Sequence, residues 1–213
     1  DGADIIDIGA QSTGPNSKPV SLEEELKRLI HILKRIRKIT KLPISIDTYR
    51  AEVARQAIEE GADMINDVTA LRGDKNMCKV IAKNNVPVIL MYSKDNSPRT
   101  SIKSKKYTDV IETIKKFLQK RMDYAKKNGI LSNNIILDPG MGHFISKIPK
   151  FSFEVIARLK QIQTLGMPIL IGISRKSFLG VKLEDRDEKG ALLENIAYIN
   201  GVSIIRTHNV KTT

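Results

Sequence analysis

The chain has 213 residues, 41% of them hydrophobic and 28% charged, enough for one sizeable globular domain with its own core. Its 36 Lys and Arg against 24 Asp and Glu leave a net charge of +12, spread along helical stretches with no Trp for base stacking. A solvated basic surface that draws in anionic substrates fits this better than a nucleic-acid module, the single Cys78 excludes an internal disulfide framework and suits a cytoplasmic setting, and no apolar run approaches the ~20 residues of a membrane span.

Short runs rich in Ile and Val alternate with amphipathic stretches along the whole chain. Residues 4–8 form the first expected strand. A helix over 22–40 follows, with Leu22, Leu26, Leu29, Ile30, Leu33, Ile36 and Ile39 near the 3.6 period and a capping box of Ser21 and Glu24 ahead of it. His31 on this helix reads as a surface residue. Further strands are expected at 43–46, 63–67, 86–91, 134–138, 168–172 and 202–206. The intervening helices are expected at 51–60, 75–84, 108–128, 150–165 and 187–200, with Gly61 stopping the second. The strands are apolar without strict alternation, as in a parallel sheet buried on both faces. No linker or low-complexity stretch divides the chain, so residues 1–213 make one α/β domain. Periodicity alone leaves an open doubly wound sheet and an eight-stranded barrel both possible.

Polar residues cluster in one place. Asp7, Asp47, Asn66, Asp67, Asp138, Ser174, Arg175, Lys176, Arg206 and His208 all fall at or just past the C-terminal ends of the expected strands. In a barrel that face carries the active site. Taken singly, Asp47 could cap the next helix, Asp138 ahead of Pro139 could be turn chemistry, and His208 could be a surface histidine. Taken together, Asp47, Asn66 and Asp138 can accept from the edge of a donor-rich heterocycle. Lys176, Arg206 and His208 add donors and positive charge for an anionic group. No CxxC, HExxH, phosphate loop or Ser–His–Asp set is present, and His31, His143 and His208 are not spaced as metal ligands.

These segments resemble the dihydropteroate synthases. Ile5-Ile6-Asp7-Ile8-Gly9-Ala10-Gln11-Ser12-Thr13-Gly14-Pro15 is similar to the family's IIDIGGESTRPG, and Ile44-Ser45-Ile46-Asp47-Thr48-Tyr49 with Ala51-Glu52-Val53-Ala54 to ISVDTYKAEVA. Ile65-Asn66-Asp67-Val68 matches INDV, and Leu137-Asp138-Pro139-Gly140-Met141-Gly142 matches LDPGIG. Gly172-Ile173-Ser174-Arg175-Lys176-Ser177-Phe178-Leu179-Gly180 resembles GASRKSFIG, the most specific of the set, and Arg206-Thr207-His208-Asn209-Val210 resembles RVHDV. The resemblance spans nearly the whole chain in order. It implies a (β/α)8 barrel of the TIM type. It also implies that the family's first strand, its Asn-bearing first loop and most of its first helix precede Asp1, and that its last helix follows Thr213. On that reading the isolated chain has two unpaired sheet edges and is expected to aggregate readily.

The resemblance further implies the reaction: 7,8-dihydropterin-6-ylmethyl diphosphate condenses with p-aminobenzoate and releases pyrophosphate. Asp47, Asn66, Asp138, Lys176 and Arg206 would hold the pterin, with Lys176, Arg206 and Asp47 as the catalytic set. Arg206, His208 and Thr13 would hold the diphosphate, with Mg2+ whose family ligand lies outside this chain. Thr13, Pro15, Ser174 and His143 would line the p-aminobenzoate side. A homodimer, small-molecule substrates, and no membrane or nucleic-acid partner complete the expectation. The pattern departs from the family at Gly14 (usually Arg), Gln11 (usually Glu), His143-Phe144-Ile145 (usually Phe-Gly-Lys) and Tyr92-Ser93 (usually His-Met), which leaves an altered acceptor amine open. Two other readings share parts of the motif set: a pterin-binding methyltransferase-like domain that works with a corrinoid partner, and a non-catalytic pterin-binding protein.

Overall fold

A computed structural model describes residues 2–180 and 182–213. Seven parallel strands alternate with helices: β1 (Ile6–Gly9), α1 (Leu22–Ile39), β2 (Ile44–Asp47), α2 (Ala51–Glu59), β3 (Met64–Asp67), α3 (Met77–Asn84), β4 (Val88–Met91), α4 (Val110–Lys127), β5 (Ile135–Asp138), α5 (Pro149–Ala157), α6 (Leu159–Gln163), β6 (Leu170–Ile171), α7 (Leu183–Ile199) and β7 (Ile204–Ile205). Strands β1 to β5 pair in sequence order, β6 pairs with β7, and a bridge between Leu137 and Ile169 links the two sets. Consecutive parallel strands joined through helices give the barrel architecture, settling the choice that periodicity left open. Among the described residues no ladder joins β7 to β1, so the barrel stays open at that seam.

Side chains alternate across each strand. Ile44, Ile46, Ile65, Val88, Leu90, Ile135 and Leu137 face the helices and build the large outer core with Leu29, Leu33, Val53, Ile111, Ile114 and Leu118. Met64, Ile89, Ile136 and Leu170 face the lumen in a smaller cluster. Both faces of the sheet are thus buried, which is why the strands read as unbroken apolar runs.

Ser21 caps α1 by accepting from the Glu24 amide at 3.1 Å, while the Glu24 carboxylate turns to Arg28 instead of completing the box. The stretch expected as one helix over 150–165 divides at Arg158, where φ −110° and ψ 20° leave helical values. There the guanidinium reaches Glu154 and Asp109 at 2.6 and 2.9 Å. Helix α7 starts at Leu183, ahead of the expected 187. Strands β6 and β7 shrink to two residues each, beside the seam where β7 has a partner on one side only.

Candidate active site

The uppermost lumen-facing positions of the strands carry the polar residues. Asp47, Asn66 and Asp138 hold the last such position of their strands. Asp7 sits one lumen-facing place lower on β1, level with Ser45 rather than Asp47, and Arg206 follows β7. Asp47 and Asn66 are register partners on β2 and β3, so they sit at one height. Arg206 spans the open seam: its Nε donates to Asp7 Oδ2 at 2.6 Å and its Nη2 to Asp47 Oδ2 at 3.2 Å, while 43% of its side chain stays exposed. A planar cation is thereby fixed at the rim with one face free.

Burial dominates the electrostatics. It pushes the Asp47 carboxyl up to about 7, with Arg206 pulling the other way and Asp7, Asp67 and Glu25 adding repulsion. Burial likewise lifts Asp138 to about 6, against the Gly140 amide, which donates to Oδ1 at 2.7 Å, and the charges of Lys176 and Arg206. Lys176 is held below the ordinary lysine range by its own burial, partly offset by Asp138 and Asp47. Asn66 is 4% exposed and its Oδ1 is buried without a donor. A buried acceptor of that kind normally has a partner, and among the described residues Asn66 Oδ1 has none. The Asp138 turn needs glycine next to it: Gly140 has φ 68°, and a Cβ there would collide with the Tyr92 carbonyl oxygen.

Asp67 differs from its neighbours in the ring. It faces the helix layer and accepts from the Thr69 and Leu71 amides at 2.8 Å each and from Thr69 Oγ1 at 2.7 Å. These bonds hold Ala70 and Leu71 in the left-handed region, and Arg121 donates to both of their carbonyls. Asp67 is therefore a turn organiser behind Asn66. Arg175 also leaves the site, gripping Asp187 through Nε and Nη2 at 2.8 and 2.9 Å.

Past β6 the Ser174 hydroxyl is engaged by His208, two residues beyond Arg206: it accepts from the His208 amide at 3.2 Å and meets Nδ1 at 2.9 Å. His143 meets a different serine, Ser177 Oγ, through Nε2 at 3.0 Å. Ser177 was not singled out in the sequence; it lies beside Lys176 in the same motif, and only geometry separates it from Ser174. Burial, then the charges of Lys94, Lys176 and Lys147, keep His143 below the usual histidine range. Burial with Arg175, Arg206 and Lys176 does the same for His208. Both rings are therefore neutral near pH 7. Thr13 and Pro15 lie half-buried on the loop after β1. The Thr13 carbonyl accepts from the Thr100 amide at 3.1 Å, and among the described residues no hydrogen bond joins Thr13 to Arg206 or His208. Gln11 anchors this loop by reaching Tyr49 and Glu25. The buried Glu25 in turn holds Arg50 at 2.7 Å and Thr48 at 2.8 Å.

A cavity of about 620 Å³ opens at the seam, lined by Ile5, Asp7, Ser45, Leu170, Ile204 and Arg206 among others. It reaches the rim at Asp7 and Arg206 but not Asn66, Asp138 or Lys176, so it reflects the unpaired β1 and β7 edges more than the polar layer itself. Among the described residues no group of three or more His, Cys, Asp or Glu is placed to hold a metal ion.

An acceptor-rich upper layer, a half-buried lysine and a rim arginine on a barrel are what an enzyme binding a flat, donor-bearing heterocycle would need. The family model described as pterin binding enzyme matches residues 1–208. A dihydropteroate synthase of Synechocystis sp. is 41% identical over 216 residues, covering 99% of this chain and 73% of its own, and that of Bacillus subtilis is 38% identical with 99% and 72% covered. A Xanthomonas albilineans dihydropteroate synthase solved with 4-aminobenzoic acid superposes with a TM-score of 0.92 at 35% identity, covering all of this chain and 76% of that one. The same enzyme solved with 7,8-dihydropteroate gives 0.88 at 34%, with the same coverage. The chain belongs to the pterin-binding enzymes and, within them, to the dihydropteroate synthases.

Proposed function

We propose that this protein joins 7,8-dihydropterin-6-ylmethyl diphosphate to p-aminobenzoate, giving 7,8-dihydropteroate and pyrophosphate. The observation that carries this reading is the buried, donorless Asn66 Oδ1 beside two carboxylates that burial holds near neutrality. Such a layer is completed by a ring presenting several N–H groups. Asp47, Asn66 and Asp138 take those donors, Lys176 meets the polar edge of the ring, and the exposed face of Arg206 packs on it. Arg206 and His208 at the rim, with Thr13 on its loop, face the diphosphate. The bond from the methylene carbon to the diphosphate oxygen breaks first, and the electron pair leaves with pyrophosphate. The cationic carbon is then attacked by the amine nitrogen, which afterwards loses a proton. The buried carboxylates stabilise the positive charge that develops on the ring, and the protein fixes geometry without supplying a nucleophile.

Mg2+ with the diphosphate is part of this proposal. Among the described residues no group of three or more His, Cys, Asp or Glu is placed to hold it, so no step is routed through it. The test uses the full-length protein with the pterin diphosphate, with and without p-aminobenzoate and with and without a chelator. Amine-dependent pyrophosphate release with dihydropteroate detected by mass is expected, restored by Mg2+ after chelation and inhibited by a sulfonamide in competition with the amine. Absence of dihydropteroate from an otherwise folded protein would sink the reading.

We also propose a homodimer. The support is the outer stripe of α7, where Leu192, Ile196 and Ile199 are 64%, 39% and 77% exposed. No helix of the described residues is long and apolar enough to cross a membrane. With Cys78 free and buried, a reducing cytoplasmic location fits the chemistry. Sedimentation equilibrium giving the monomer mass, or recovery in another cell fraction, would contradict these two assignments respectively.

A further inference from the structure

Two loops that carry acceptor-side residues, after β1 and after β5, meet through a third loop at one buried cation. Lys94, just past β4, has only 3% of its side chain exposed. Its Nζ donates to Asp95 Oδ2, the Ser101 carbonyl and the His143 carbonyl at 2.7 Å each, and to Thr100 Oγ1 at 3.0 Å. Three N–H groups thus serve four acceptors in a site almost closed to water, where bonds to a charged donor are strong. The Lys94 amide adds a bond to the Phe144 carbonyl at 2.8 Å. Thr100 extends the knot. Its hydroxyl lies 2.9 Å from the His143 carbonyl and 3.0 Å from Asp95 Oδ2, and its amide donates to the Thr13 carbonyl at 3.1 Å. The neighbouring Arg99 guanidinium grips Gln11 of the same β1 loop.

This arrangement ties the backbone of Thr13, after β1, to that of His143, after β5, through a third loop that itself contributes no group to the pterin layer. His143 in turn fixes Ser177. An unpartnered, buried Nδ1 leaves the imidazole better placed with its proton on Nε2, since a buried N–H without an acceptor is rarer than a buried acceptor without a donor. Nε2–H then donates to Ser177 Oγ, and the serine's own proton is free to point at an anionic acceptor group.

We infer that Lys94 is a positioning residue for the amine acceptor, holding Thr13 and His143 in one pre-built arrangement while leaving pterin capture untouched. The inference rests on the synthase reading above. Preorganisation of this kind affects the affinity of the ligand whose pocket it builds. The test measures KM for each substrate in full-length Lys94→Met, Thr100→Val and Thr100→Ser proteins. Lys94→Met is expected to raise the p-aminobenzoate KM about tenfold, the size of effect that follows loss of a hydrogen bond to a charged group, while the pterin diphosphate KM stays within about twofold. Thr100→Val moves in the same direction by less, and Thr100→Ser, which keeps the hydroxyl, behaves as the wild type. Should Lys94→Met not fold, the Val and Ser pair at Thr100 decides the matter alone. An unchanged acceptor KM, or both KM values rising together, overturns the inference. An inactive wild type overturns the synthase reading and this inference with it, whereas an active wild type with unaffected variants overturns only this one.

Discussion

Lys176→Met is expected to lower kcat/KM for pyrophosphate release by about 10²–10³-fold, the scale seen when one preorganised electrostatic donor is removed, while the protein stays folded. Lys176 follows β6, its stem packs over Gly142, and its Nζ lies 5.3 Å from the centre of the Phe144 ring. The half-buried ammonium is partly desolvated, which holds it below the ordinary lysine range, so it contributes little to the stability of the empty fold. Its lowered pKa means that folding pays to keep it charged at neutral pH. Replacing it by an unbranched apolar chain of similar reach removes that cost and leaves packing nearly intact. What is lost is the charge facing Asp138 and Asp47. Without it Asp138 rises above about 6, so a larger share of it is protonated at pH 7 and it accepts less freely from the pterin edge. The check is a steady-state assay beside a thermal melt. A variant that keeps more than a tenth of wild-type turnover removes Lys176 from the reacting set. A variant that simply unfolds shows the residue to be structural.

Much of this site was legible in the sequence because the strand period is two. Once a short Ile/Val run ends in Asp47, Asn66 or Asp138, the alternation that buries Ile46, Ile65 and Leu137 against the helices forces the next side chain into the lumen. The resemblance of Ser174–Lys176 and Arg206–His208 to one family then supplied the chemistry. What stayed hidden is side-chain geometry that no period encodes. Asp67 groups with the strand-end polar residues in the sequence, yet a one-residue step along β3 turns it outward, where it organises the Ala70–Leu71 turn. The contact between His208 and Ser174 is of the same kind. Ser177 and Lys94 gave no signal, since each acquires its role from partners more than thirty residues away, such as His143. The seam between β1 and β7 is expected from the family resemblance alone, since nothing in residues 4–8 or 202–206 themselves marks them as edges.

Acidification is expected to weaken pterin binding while Asp47 and Asp138, over the same range, add stability to the empty protein. Asp47 and Asp138 are raised to about 7 and about 6 from an ordinary carboxyl value of 3.8. Each must be ionised to accept fully from the N–H groups of a neutral pterin. As pH falls through 7 and then 6 they take up protons, and affinity drops by up to about tenfold per pH unit for each group that has to be deprotonated again. Stability runs the other way. A carboxyl whose folded pKa is raised binds its proton more tightly when folded, so its contribution is fully present below 3.8 and is lost as pH rises through the folded value. Between pH 8 and 5 these two carboxyls therefore push the melting temperature of the empty protein up, while Kd for a pterin fragment rises. His143 and His208 act against them, since their lowered pKa pulls the melting temperature down once pH falls below 6.5. The aspartates' share is read as the difference between the wild type and the Asp47→Asn or Asp138→Asn protein. Carboxylates held low act outside this window: Asp95, which despite burial is kept at about 2 by Lys94 and its hydroxyl and amide donors, sheds its stabilising charge only in stronger acid. Asp47→Asn removes the step near 7 from both curves and leaves the step near 6. Asp138→Asn does the reverse. Calorimetric titration of a pterin and thermal melts over the same buffers provide the two curves. Parallel loss of affinity and of that share of stability on acidification would show that other groups govern both, and that neither aspartate is the acceptor the empty layer makes it.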